Sequence, residues 1–228
     1  MKILAIETST MLGGVAIADE KGLIAETRLN VKSTHSERLM ATIDEQLRQS
    51  ALSLGDIDVF AVASGPGSFT GLRIGLSTAK GLCYATGRPL VMVPTLEAFA
   101  RSFPFCKYPV CVMLDARRGE VYAAVFRWKG VLVKLLDEVS VAPECLFRDL
   151  DSPVLLAGEG AQVYRERLAG LLGERALFAA PEMMVPSPAG LAMLGLEKAL
   201  RGEFTDASAA EPFYVRRSEA EVKWSEKR

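Results

Sequence analysis

One order of elements occurs twice along these 228 residues, and that duplication limits the fold more than any single motif does. Residues 2–7 read as a short apolar strand closed by Glu7-Thr8-Ser9-Thr10, and residues 13–18 and 23–29 as two further strands around a turn at Gly22. Thr34-His35-Ser36-Glu37 has the spacing of a capping box, and Leu39, Met40, Ile43 and Leu47 follow it at helical spacing. A strand at 57–63, a helix from Ser68 to Thr86 stopped by Gly87 and Pro89, a strand at 90–93 and a short helix capped by Thr95 complete the set.

From Pro109 the order begins again. It runs through a strand at 110–114 ending in Asp115, a turn at 116–119, and strands at 120–127 and 131–139. Then come a short helix opened by Pro143, a strand at 154–157, a turn at 158–160 and a helix at 162–172. The first strand of each half ends in an acid, Glu7 or Asp115. Two α/β lobes with a cleft between them are predicted, one over residues 1–102 and one over 103–228. The second is expected to include a last helix from Ser187-Pro188 to about Arg201 and a polar tail from Gly202.

Composition narrows the function. Lys+Arg 27 against Asp+Glu 28 leaves a formal charge of −1, without the basic excess usual in a nucleic-acid binder that works alone. A single histidine, His35, excludes a His-rich metal site, so no metal ligands are expected. His35 itself reads as a solvated or capping residue. The four cysteines form no CxxC pair and sit among apolar neighbours, which predicts buried thiols. The acidic Glu7 comes too early for a signal peptide, and no apolar run approaches the roughly 20 residues of a membrane span. A cytoplasmic protein is expected.

Three segments could carry chemistry. Ser64-Gly65-Pro66-Gly67-Ser68 joins a strand to a helix, where free N–H groups suit phosphate or carboxylate, although Gly65 and Gly67 could equally serve a tight turn. It is no Walker sequence, since no Gly-Lys-Ser/Thr follows. Within the next helix, Gly71, Gly75 and Ala79 recur every four residues, so that face packs either on its own sheet or on a helix of another subunit. With Leu72, Leu76, Leu82, Tyr84 and the stripe Leu39, Met40, Ile43 and Leu47, it forms the candidate association surface. Asp115-Ala116-Arg117-Arg118-Gly119-Glu120 gathers charge at a hairpin, fitting either a solvated turn or an anion site.

Ile3-Leu4-Ala5-Ile6-Glu7-Thr8-Ser9, the run from Gly65 to Gly75, Asp115 to Tyr122 and the closing Glu211-Pro212-Phe213-Tyr214-Val215-Arg216 together resemble the TsaB (YeaZ) family over nearly the whole chain. The resemblance implies an actin/Hsp70/sugar-kinase fold of two tandem RNase H-like lobes. It implies a role in forming threonylcarbamoyladenosine at adenosine 37 of tRNA. The family's catalytic relative, TsaD, holds a metal on a His-x-x-x-His pair that this sequence lacks. A non-catalytic subunit is therefore implied, which binds and activates TsaD together with the ATPase TsaE, pairs with itself through first-lobe helices, and meets tRNA only indirectly. No cofactor is required by this reading. Weak ATP or ADP binding is compatible with it, at a degenerate site of Glu7, Thr8, Ser9, Gly65, Gly67, Ser68, Asp115 and Arg117. The alternative is an ATPase or phosphotransferase working in the cleft. A peptidase has no visible Ser/His/Asp or Cys/His set to support it.

Overall fold

The first strand, β1 (Ile3–Glu7), is buried at every position, as expected of a strand covered on both faces. The computed structural model describes residues 1–30, 35–147 and 151–216. β1 pairs antiparallel with β2 (Leu12–Asp19), which pairs antiparallel with β3 (Gly22–Asn30). After α1 (His35–Gln49) the chain returns as β4 (Val59–Gly65), parallel to β1. α2 (Phe69–Thr86) then leads to β5 (Leu90–Pro94), parallel to β4, and to α3 (Thr95–Ala100). The sheet order is β3-β2-β1-β4-β5. Parallel neighbours need a crossover, and here helices supply it.

The second half repeats this with β6 (Val110–Arg117), β7 (Glu120–Trp128), β8 (Leu132–Val141) and β9 (Val154–Ala157). Then follow α4 (Glu159–Val163), α5 (Arg165–Leu172) and β10 (Ala176–Phe178). Its sheet order is β10-β9-β6-β7-β8, the same pattern of antiparallel and parallel neighbours. These are two tandem RNase H-like units of the actin/Hsp70/sugar-kinase class.

Each unit has its own core. In the first, Leu39, Ile43 and Leu47 of α1 and Leu76, Ala79 and Leu82 of α2 pack with Leu4, Ile6, Val15, Ile17, Phe60 and Val62. In the second, Cys111, Met113, Val121, Ala123 and Val125 meet Leu156, Ala161, Leu168 and Leu172.

Several expectations are corrected. The last helix, α6 (Pro188–Leu200), belongs to the first unit, which comprises residues 1–104 and 185–212; the second comprises 105–184 and 213–228. The reason is packing. A Cβ at Gly195 would lie 2.9 Å from Ala61, 3.1 Å from Ile3 and 3.3 Å from Val93, so α6 lies directly on the first sheet. β6 runs through Asp115 to Arg117, and only Arg118-Gly119 form the turn, as a two-residue hairpin with φ of 56° and 83°. Pro143 opens a 3₁₀ turn over Pro143–Phe147 rather than an α-helix, and the expected end at 150 lies outside the described residues. The helix expected at 162–172 begins earlier, at Glu159, and breaks at Tyr164. Thr95 is the first residue of α3 rather than its cap, and its hydroxyl accepts from the Gly65 N–H at 3.2 Å. Cys83 and Cys111 are buried as expected, but Cys145 is exposed. The capping box at residues 34–37, with His35 in it, falls on side chains outside the described set, as does the tail beyond 216.

Candidate functional site

Two clusters of polar residues occupy equivalent places, one in each unit. In the first, Glu7 ends β1 with 1% of its surface exposed. Its Oε1 accepts from the Ser9 N–H at 2.7 Å, while its Oε2 and the Ser9 hydroxyl are buried without hydrogen-bond partners. Burial pushes the Glu7 carboxyl above its ordinary range, and hydrogen bonding from Ser9 offsets part of that rise. Thr8 donates from its hydroxyl to the Gly71 carbonyl at 2.8 Å and so ties β1 to α2.

The glycine-rich segment closes onto this strand end. A Cβ at Gly67 would stand 2.5 Å from the Ser9 carbonyl oxygen, and the Ser68 N–H donates to that same oxygen at 2.7 Å. Ser68 caps α2, its hydroxyl accepting from the Gly71 N–H at 3.2 Å. With Gly65 N–H given to Thr95, the amides of Gly65, Ser68 and Gly71 already have partners inside the chain. The structure thus brings Glu7, Thr8, Ser9, Gly65, Gly67 and Ser68 together, and of the two readings of the glycine-rich segment it supports the tight turn: at Gly67 close backbone approach requires the glycine.

In the second unit Asp115 and Arg117 are joined. The Arg117 N–H donates to Asp115 Oδ1 at 2.9 Å, and Arg117 Nη1 lies 3.1 Å from Oδ2. Arg117 adopts φ of 63°, a strained conformation for a non-glycine residue. Its charge is thereby matched within the hairpin. Arg216 fastens the closing segment here, donating to the Ala116 carbonyl at 2.8 Å and to Glu120 at 3.0 Å.

Glu159 was not anticipated. Burial raises its carboxyl above the ordinary range, and the charge of Asp115 raises it further. It follows Gly158 (φ 107°) just as Pro66 follows Gly65 (φ 113°), so it stands at the equivalent strand-to-helix turn of the second unit. Among the described residues, no three His, Cys, Asp or Glu side chains converge as metal ligands.

The expected association surface is largely internal. Leu39, Ile43, Leu47, Gly71, Leu72, Gly75, Leu76 and Ala79 are all buried in the first unit. A Cβ at Gly71 would meet the Thr8 carbonyl oxygen at 2.0 Å, and one at Gly75 would meet Thr8 Oγ1 at 2.2 Å. The small stripe therefore faces its own sheet, and substitution there reports on folding rather than association. Of that expected surface, Met40 and Tyr84 are the residues left exposed. The outward face of α2 instead carries Phe69, Arg73, Ser77, Gly81, Tyr84 and Ala85, with the Arg73 guanidinium 3.9 Å from the Phe69 ring centre. No helix among the described residues is long and apolar enough to cross a membrane.

Comparison with known proteins agrees with this architecture. The family model for TsaD, described as tRNA N6-adenosine threonylcarbamoyltransferase, matches residues 23–224. The tRNA threonylcarbamoyladenosine biosynthesis protein TsaB of Bacillus subtilis is 33% identical, over 99% of this chain and 99% of that protein. Its Escherichia coli namesake is 28% identical over 96% of each. The solved structure of YeaZ from Pseudomonas aeruginosa covers 93% of this chain and 99% of its own, at 28% identity and a TM-score of 0.79. With the duplicated sheets and the full-length match, this chain belongs to the TsaB (YeaZ) family, within the wider group of TsaD-like domains.

Proposed function

We propose that the chain is a non-catalytic subunit in the formation of N6-threonylcarbamoyladenosine at adenosine 37 of tRNA. It binds and activates the transferase TsaD, acts together with the ATPase TsaE, and pairs with itself when alone. The names of its relatives support the pathway. Its single histidine supports the lack of transferase activity, because a His-x-x-x-His pair cannot be formed.

The observation that carries the association is Gly81. A glycine inside a helix costs about 1 kcal/mol against alanine. Gly71 and Gly75 are explained by contact with Thr8, but nothing lies within 4 Å of a Cβ at Gly81. No contact among the described residues offsets its cost. Ser77 and Ala85, four residues to either side, are also small and exposed, and Tyr84 beside them is 94% exposed. A second helix laid along this face would supply the missing contacts. The phosphotransferase reading is the weaker one, because the amides it would use at Gly65 and Ser68 already bond within the chain.

The test combines chromatography with a modification assay. The chain alone, given threonylcarbamoyl-adenylate and unmodified tRNA, should yield no product; with TsaD and TsaE it should. Gly81→Leu should unfold at the same or a somewhat higher temperature, since it removes a helix-weakening glycine into open space, yet lose self-association and the TsaD complex. Product from the chain alone, or a normal complex with Gly81→Leu, would overturn the proposal.

A further inference from the structure

The start of β6 and the β7–β8 turn place aromatic and basic side chains together inside the second unit, at the opposite end of β6 from Asp115. Phe105 is 80% exposed, and its backbone is held at φ of 59°, a conformation costly for a bulky residue. Its ring meets the Trp128 ring edge to face, with centroids 5.3 Å apart, a contact that favours this placement of the exposed phenyl. The Lys107 ammonium stands 5.5 Å from the Tyr108 ring centre. Lys129 is exposed in the turn after Trp128, and Arg127 has its Nε shielded from water without a hydrogen-bond partner.

Among the described residues these cations have no acidic partner. Residues 105–110 and 124–133 contain no acid, and none of Lys107, Arg127 and Lys129 forms a salt bridge among the described residues. An aromatic pair flanked by positive charge complements an unpaired base between two phosphates. A purely apolar partner would leave the charges without counterparts, and a duplex would hide its bases from the rings.

We propose that this patch binds single-stranded RNA, a loop or an unpaired end. A base packs on Phe105 and Trp128, and the neighbouring phosphates pair with Lys107, Arg127 and Lys129. The proposal rests on the reading above in one respect, that the assembly the chain joins acts on tRNA; it adds direct contact by this subunit.

Fluorescence anisotropy on the full chain, alone and in its TsaD complex, tests it. One probe is a short labelled single-stranded oligoribonucleotide, the other the same strand annealed to its complement. The single strand should bind and the duplex should bind far more weakly. Phe105→Ala should weaken single-strand binding about tenfold. Lys107→Ala with Lys129→Ala should lower the slope of log affinity against log salt by about 0.7 for each cation removed. Both variants should still co-elute with TsaD, which separates failure here from failure of the association itself. Wild-type affinity in both variants, equal binding of the duplex, or no binding of the single strand by the wild type would each overturn the inference.

Discussion

Glu7 couples the first unit to pH. Its folded carboxyl titrates above the ordinary value of 4.5, so the folded chain holds the proton more tightly than the unfolded one. The stability tied to that proton is complete below about 4.5 and is lost as pH rises through the raised folded value. Glu7→Gln keeps an acceptor for the Ser9 N–H and removes the titration. Its stability relative to the wild type should therefore climb as pH rises from about 4.5 through the raised folded value, measured as urea midpoints at each pH. A constant difference across that range would disprove it. The two strand-end acids were legible from sequence because each closes an apolar run. Their unpartnered oxygens and matched charges were not, since those depend on residues such as Ser9 and Arg117 folding back toward them. Glu159 escaped notice because its environment comes from Asp115, a residue 44 positions away in sequence.

At the scale of elements, the N-terminus of α6 depends on β3. Glu26 accepts from the Ala189 N–H at 3.0 Å and from the Ser187 hydroxyl at 2.8 Å, and pairs with Arg28 at 2.9 Å. Partial burial pushes its carboxyl up, but the bonds from Arg28, Ala189 and Ser187 outweigh this and leave it below the ordinary range. Its contribution is present above about 4.5 and is lost as pH falls through the lowered folded value. Glu26→Gln should cost about 1 kcal/mol at neutral pH and speed amide exchange at Ala189. Unchanged exchange there would show that Ser187 caps the helix unaided. Helical spacing alone identified most of the buried faces of α1 and α2, Met40 and Tyr84 excepted, but not what those faces pack against. A stripe of Gly71, Gly75 and Ala79 reads the same whether it meets its own sheet or another chain, and the Thr8 contact that decides the matter is long-range.

At the scale of the whole molecule, the duplication was legible because each half repeats the order of strands and helices, and the two sheet orders follow from it. The assignment of α6 was not, because nothing local in residues 188–200 says which sheet they cover. A fragment of residues 1–104 lacks the helix that packs on Ile3, Ala61 and Val93, and should show no cooperative unfolding by circular dichroism. Joining 185–212 to it through a flexible linker should restore a single sharp transition. Cooperative unfolding of 1–104 by itself would contradict this view of the core.

That divided core has a consequence during synthesis on the ribosome. The 80 residues from Phe105 to Met184 must be translated before any of α6 appears. At about 5–20 residues per second, the nascent first sheet waits roughly 4–16 s with one face uncovered. Over that interval the apolar side of β1, β4 and β5 is available to trigger factors, to holdases, or to a neighbouring nascent chain on the same message. A cell growing slowly or starved of a charged tRNA would lengthen the wait, so the yield of this protein should depend on elongation speed between residues 105 and 184 more than on its final stability.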